Sequence, residues 1–315
     1  MRLLAVDDDP LILDLLQTIF AQADLPDISV APSGIAGLAM LEDPDFEVDG
    51  LILDITMPGM SGIDLCKAVR QMPRHRHKPI LMLTSVTDIT TVENAFAAGA
   101  DDYVTKPFDV KEIVARVRVA ERMVEKASPL STVEPTERPE EQVAGQHAID
   151  IAEPLRIAEL ANLIHPFALG NYLAQLSRRK VDRSTIFAVH LSQISDIFAK
   201  CTTAELSQIV KGVGEAINTA VGRPRLLMAY EGNGMFICIL PGSEALEWPL
   251  VEHQIQAALN AQHLLNADGT ERRIDVSVGN PVTPSASRFQ RVNRTFDRTR
   301  ERALSRSRSK GSDVA

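Results

Sequence analysis

Cysteine is nearly absent: 3 in 315 residues, at positions 66, 201 and 238, too few and too scattered for a disulfide framework or a thiolate zinc site. A reducing cytoplasm is the compartment this implies. No apolar run approaches the length needed to cross a bilayer, so no membrane contact is expected, and Met1-Arg2-Leu3-Leu4-Ala5-Val6-Asp7 turns acidic too soon for a signal peptide. Basic excess is missing from the first half. Residues 1–127 hold 21 acidic and 12 basic side chains, a balance of -9, whereas 128–315 hold 21 of each and balance to zero. An acidic first half speaks against nucleic acid there and agrees with a carboxylate-rich cation site.

What is present is a soluble composition, 45% apolar and 24% charged, and a length that suits two domains. The first 126 residues alternate short apolar runs with helical patterns. Strands are expected at 2–6, 28–31, 51–54, 80–83 and 103–104. Asp9-Pro10 supplies a cap and a first-turn proline for a helix whose inward residues are read as Leu11, Leu15, Leu16, Ile19 and Phe20. Ser33 caps a second helix. Asp109 with Glu112 forms a capping box for the last, whose apolar face is Ile113, Val117, Ala120 and Val124. Five strands alternating with helices predict an α/β, doubly wound, five-stranded parallel sheet.

Residues 127–152 are rich in Pro and Glu, with few large apolar side chains, and read as a flexible linker. A second, α+β domain is expected over 153–315. Helices are placed at 154–164, 166–176, 204–220, 249–265 and 289–306, and strands at 186–191, 226–230, 235–240 and 273–278. Glu231-Gly232-Asn233-Gly234 is the hairpin signal at its centre.

The chemistry gathers where the first-domain strands end. Val6-Asp7-Asp8-Asp9, Leu53-Asp54, Leu83-Thr84-Ser85 and Lys106-Pro107 each follow an apolar run, and open parallel sheets converge their functional groups beyond such ends. Asp54 is a carboxylate able to attack a phosphoryl group. A magnesium ion would find ligands in Asp7, Asp8, Asp54 and the Thr56 carbonyl, while Thr84 and Lys106 would hold phosphoryl oxygens. One such Asp alone would be an ordinary cap, and one Lys-Pro pair an ordinary turn. Together they resemble the receiver domain of two-component signalling, in Asp7-Asp8, Asp54-Ile55-Thr56-Met57-Pro58 with Gly62, Thr84-Ser85 and Lys106-Pro107-Phe108. The resemblance implies a response regulator phosphorylated on Asp54 by a histidine kinase or phosphotransfer protein. It makes Thr84 the switch hydroxyl and Tyr103 an aromatic that turns inward on activation, although a tyrosine that keeps one rotamer suits the position too. Asp101, Asp102, Glu112 and Arg116 fit the charged face through which many receivers form homodimers, and a plain solvated surface fits them as well.

The second domain resembles diguanylate cyclase (GGDEF) domains, a nucleotide-cyclase-like fold. The resemblance rests on His165-Pro166-Phe167-Ala168-Leu169-Gly170-Asn171, Phe187-Ala188-Val189-His190, Glu231-Gly232-Asn233-Gly234-Met235-Phe236, Val276-Ser277-Val278-Gly279, and Ala303-Leu304 with Arg308 and Gly311. The acids that such chemistry needs are replaced by Asn233, Gly234, Met235 and His190, leaving only Glu231 nearby. The inhibitory-site arginine persists in Arg223-Pro224-Arg225-Leu226 without its aspartate. A degenerate, non-catalytic output domain that acts by protein binding or dimerisation, on an unknown downstream protein, is the leading expectation. An active enzyme making cyclic di-GMP from GTP is the first alternative. The second is a phosphorylation-controlled nucleic-acid-binding regulator using Arg288, Arg291, Arg294, Arg298, Arg300, Arg302, Arg306, Arg308 and Lys310. A solvated helix face is favoured for that basic tail, and nucleic acid is not an expected partner.

Overall fold

The computed structural model describes the chain except residues 24, 26, 86–88, 127–142, 148, 156, 158, 161, 224, 243–245, 249, 266–269, 286–289 and 313–315, and the side chains of 122–126, 311 and 312. Most of the expected linker, Arg288, Phe289 and the Val124 side chain therefore lie outside the described residues. Two compact units divide the chain, Met1–Ser128 and Pro129–Ala315. No described helix is long and apolar enough to cross a membrane.

The first unit runs β1 (Arg2–Val6), α1 (Pro10–Gln22), β2 (Asp27–Ala31), α2 (Gly34–Glu42), β3 (Gly50–Asp54), α3 (Gly62–Gln71), β4 (Ile80–Thr84), α4 (Ile89–Ala98), β5 (Asp102–Thr105) and α5 (Val110–Lys126). The strands form one parallel sheet in the order β2-β1-β3-β4-β5. Every residue of β3 and β4 is buried, as expected of central strands covered on both faces. Asp9 caps α1 by accepting the Leu11 N–H at 2.9 Å, and Pro10 occupies the first turn. The inward face of α1 differs from the expected one. Leu13, Leu16, Ile19 and Phe20 are buried, while Leu11 is 73% and Leu15 42% exposed. At 100° per residue, positions 13, 16 and 20 share a stripe that excludes 11 and 15. At α5 the Asp109 carboxylate accepts from Lys111 at 2.7 Å, and Ile113 and Val117 are buried.

The second unit contains α6 (Pro166–Gln175), α7 (Arg178–Val181), β6 (Ser184–Leu191), α8 (Ile194–Lys200), α9 (Thr203–Val221), β7 (Leu227–Tyr230), β8 (Met235–Pro241), α10 (Leu250–Asn260), β9 (Val276–Val278) and α11 (Arg291–Ser312). Its sheet is antiparallel throughout, in the order β7-β8-β6-β9. From β6 to β9 the elements follow a βαββαβ plan. Phe187, Val189 and Leu191 of β6 share a core with residues of α9 and α10 such as Val213, Ile217 and Ile255. Helix α9 opens on a capping box of Thr202 and Glu205 and closes on Gly222 at φ 59°.

Three sequence expectations are corrected here. The described residues of 154–164 form no helix. Leu155 bridges Tyr230 and Leu163 bridges Met228, because the outer edge of β7 needs backbone partners. Met228 donates to the Asn162 carbonyl at 2.9 Å and Ile164 donates to Met228 at 2.8 Å, so tertiary pairing overrides helical spacing. Residues 143–152, read as linker, include the buried Ile149 and pack on the second unit. Strand β9 keeps only three of the six residues expected of it.

Candidate phosphoryl-acceptor site

The parallel register brings the ends of β1, β3 and β4 side by side, with Val6 opposite Leu53 and Asp54 opposite Leu83. Carboxylate oxygens of Asp7, Asp8 and Asp54 all lie within 4.8 Å of one another. Lys106, just past β5, places its Nζ 2.6 Å from Asp7 Oδ2 and 2.5 Å from Asp54 Oδ1. Asp54 Oδ2 accepts the Thr56 N–H at 2.7 Å, and Asp7 Oδ1 accepts the Asp9 N–H at 3.0 Å. Asp7, Asp54 and Thr84 are buried, whereas Asp8 is exposed and gives the cluster a solvent side.

Burial raises the Asp54 pKa, Lys106 opposes that shift by hydrogen bond and charge, and Asp7 adds to it by like-charge repulsion. For Lys106, burial disfavours the charge, but its bonds to Asp54 and Asp7 raise the pKa overall. Three carboxylates facing one ammonium leave an excess of negative charge and spare hard oxygen ligands. That donor set fits a hard divalent cation such as magnesium.

Gly62 belongs to the site. A Cβ there would lie 2.0 Å from the Asp54 carbonyl oxygen, so the start of α3 approaches the acceptor strand only because this residue has no side chain. Tyr103 is half-buried with its ring edge-on to Phe96 at 6.0 Å. Burial raises its pKa and the neighbouring Asp102 adds to the shift.

The charges expected on an open 101–116 face are largely spent inside the unit. Asp101 accepts from Arg70 at 2.9 Å and from the Ile80 N–H at 2.8 Å. Asp102 is buried against Arg116 at 2.7 Å; burial raises its pKa to about 6 although Arg116 pulls it down.

The family profile described as response regulator receiver domain matches residues 3–118. Residues 3–118 are a receiver domain. The chain is similar to the DNA-binding dual master transcriptional regulator RpaA of Synechocystis sp., with 38% identity over 125 residues, 40% of this chain and 51% of that protein. It is also similar to the heme response regulator HssR of Staphylococcus aureus, with 40% identity over 122 residues, 39% of this chain and 52% of that protein. The chain thus spans about half the length of these curated relatives. A solved protein of Chloroflexus aurantiacus J-10-fl, described as a response regulator, is 38% identical, with a TM-score of 0.36 over 40% of this chain and 98% of that one. All these similarities concern the receiver.

In the second unit, the strand ends that a cyclase would arm carry no comparable cluster. Among the described residues, only Asp7, Asp8 and Asp54 form a group of three or more possible metal ligands. His190, opposite Met235 and Ser277, is half-buried; burial lowers its pKa, and its Nδ1 has no hydrogen-bond partner. Glu231, which opens the hairpin turn, is held by Arg300 through two bonds, at 2.7 and 2.9 Å.

Arg300 was read as part of a solvated basic face, and the structure corrects that reading for several residues of α11. Arg291 is buried and donates to the Leu176 carbonyl at 2.7 Å, closing the end of α6. Arg306 and Lys310 both hold Glu252, at 2.8 and 2.9 Å. The sequence signal for the last pair was their i,i+4 spacing, which puts both on one side of the helix. Arg294, Arg298 and Arg308 are exposed, as expected.

Proposed function

We propose that the receiver accepts a phosphoryl group on Asp54 from a histidine kinase or histidine phosphotransfer protein in the cytoplasm. An Asp54 oxygen forms the new bond to phosphorus as the bond to the donor nitrogen breaks. Asp7, Asp8, Asp54 and the Thr56 carbonyl would hold Mg2+, which supplies positive charge against the phosphoryl oxygens when bound. Lys106 exchanges its contact with Asp54 for a phosphoryl oxygen, and the buried Thr84 hydroxyl turns toward the new anion. Tyr103 then fills the space that Thr84 leaves, which alters the surface of α4, β5 and α5. The carrying observation is the Lys106 Nζ set between Asp7 and Asp54, beside an exposed third acid.

Homodimerisation through residues 101–116 is part of this reading. Here it requires Arg116 to exchange Asp102 of its own chain for a group on a second copy.

The second unit is proposed as a degenerate GGDEF-like, nucleotide-cyclase-like domain over residues 153–315, acting through protein binding on a downstream partner. The β9-β6-β8-β7 sheet and its βαββαβ plan support the family, and the Arg300 pairing of Glu231 supports the loss of catalysis. DNA binding, a property of RpaA, gains little support from α11, since Arg291, Arg300, Arg306 and Lys310 are turned onto the protein.

The experiment is phosphoryl uptake from acetyl phosphate with Mg2+, read on intact protein. Wild type is expected to gain one phosphoryl group that Asp54→Asn does not; equal uptake by both overturns the assignment.

A further inference from the structure

The turn joining β7 and β8 is covered by the chain's own backbone. Asn233 donates its N–H to the Ile151 carbonyl at 2.7 Å. A Cβ at Gly232 would lie 2.3 Å from the Ala152 carbonyl group, so only glycine admits this segment. Gly232, Asn233 and Gly234 all have left-handed φ, at 88°, 50° and 71°. That curl turns the Asn233 N–H onto the segment instead of into the hairpin ladder.

Upstream, Gly145, His147 and Ile149 hold the same segment. The Gly145 N–H reaches the Cys201 carbonyl at 2.9 Å. The His147 ring stacks on Phe198 at 3.7 Å, with Nε2 2.6 Å from the Phe198 carbonyl and Nδ1 3.2 Å from Thr203 Oγ1. Ile149 is buried in the core and Ile151 packs against it half-exposed.

The covering chain has two parts of unequal hold. Leu155, Ile157, Leu160 and Leu163 are buried in the core and Ile164 is buried as well, so these residues cannot leave without unfolding the unit. The described residues of 143–152 bury one aliphatic side chain, Ile149, and Val143 at their start is 56% exposed. This weaker part is the first described stretch of the second unit.

We infer that the hairpin turn is a peptide-binding site filled in cis by Ile149–Ala152, and that activation of the receiver opens it. The ligand class is an extended segment with two β-branched apolar side chains two residues apart and a carbonyl aimed at Asn233. The opening step rests on the reading of Asp54 as acceptor.

Amide hydrogen exchange on the full chain tests the opening, with Mg2+ and beryllofluoride as the phosphoryl mimic. Exchange at Asn233 is expected to rise at least tenfold in wild type and not in Asp54→Asn, with Ile237 in β8 unchanged in both. Retained beryllofluoride with a protected Asn233 amide overturns the opening and leaves the receiver reading intact. Failure to retain beryllofluoride strikes the receiver reading instead, and the opening with it.

A second arm tests the site without the receiver. Full-length Ile149→Asp, and Ile151→Ser as the milder variant, are mixed with a labelled peptide of residues 143–155. Saturable binding by a variant that unfolds cooperatively, and none by resting wild type, supports the cis ligand. Absence of binding by both folded variants overturns it.

Discussion

The two sheets of this chain treat carboxylates in opposite ways. At the strand ends of the receiver, Asp7 and Asp54 share the Lys106 ammonium, and the Asp8 carboxylate lies within 4.8 Å of both acids. In the second unit Glu231 is paired with Arg300, which also holds Asp297, and Glu252 is paired with Arg306 and Lys310 and accepts the Val278 N–H at 2.8 Å. The first arrangement is short of positive charge and gains by taking up a divalent ion. The second is already neutralised and gains nothing from one. The ratio of carboxylates to fixed cations therefore separates a reactive pole from a structural one, more than the number of acids does.

The hardest blow to this comparison is struck at Asp54. Asp54→Asn removes the nucleophile and one of three metal-facing charges, so beryllofluoride retention in the presence of Mg2+ should fall below detection. In wild type the raised Asp54 pKa sets the direction of the pH dependence. In the metal-free site the carboxylate takes up its proton at higher pH than an ordinary aspartate, so Mg2+ uptake should weaken on acidification before a free aspartate would titrate. A variant that retains the mimic would show that the charge deficit alone, without this carboxylate, makes the site.

Gly62 tests whether the pole depends on backbone approach as well as charge. Gly62→Ala sets a Cβ against the Asp54 carbonyl, which has no flexible atom to yield. Overpacking of this kind costs about 3 kcal/mol, read as a lowered urea midpoint of the receiver transition. An unchanged midpoint would mean that α3 can retreat from β3, and that the close approach does not define the site.

Much of the receiver was legible because its signals are local. The strand-end residues Asp7, Asp54, Thr84 and Lys106 each follow an apolar run, and a parallel sheet necessarily gathers such ends. The inward face of α1 was less legible, since Leu11 and Leu15 satisfy helical spacing yet lie off the stripe that meets the sheet. In the second unit the strands and α9 were readable from periodicity. The course of 154–164 was not, because its apolar spacing says helix and its real partner, the open edge of β7, lies about 65 to 75 residues further on (163 to 228 and 155 to 230 in pairing). The partners of Arg300 and Arg306 were hidden for the same reason: Glu231 and Glu252 are distant in sequence, and charge alone does not distinguish a solvated arginine from an anchored one.

Glu252 sharpens the neutralised side of the comparison. Burial disfavours its charge, but the Arg306 bonds, the Val278 N–H and Lys310 outweigh that and bring its pKa down to about 2. A depressed carboxylate contributes stability above its ordinary pKa of 4.5 and loses it as pH falls through about 2. Glu252→Gln should cost about 2 kcal/mol at neutral pH, the usual worth of hydrogen bonds to a charged group. That difference should shrink between pH 4.5 and 2, where wild type loses its own anion. Parallel stability curves for the two proteins across that range would show that Glu252 acts by shape and not by charge.

The smallest expected effect concerns the hairpin and is a null result. Asn233→Asp returns one acid to the turn, yet three features of the site oppose a cation there. The nearest carboxylate, Glu231, is engaged on both oxygens by Arg300. The Asn233 backbone is directed at Ile151 and the Ala152 backbone stands against Gly232. A single new carboxylate beside a guanidinium is repaid by that guanidinium before it can recruit a divalent ion. Titration of Mn2+ into the Asp54→Asn, Asn233→Asp double variant should therefore match the Asp54→Asn background, and incubation with GTP should release no cyclic dinucleotide. Adding Arg300→Met to the same protein frees Glu231 beside the new aspartate. If Mn2+ binding then appears, the charge ratio governs the second pole as it does the first; if it appears already without that change, the neutralisation argument fails at the hairpin.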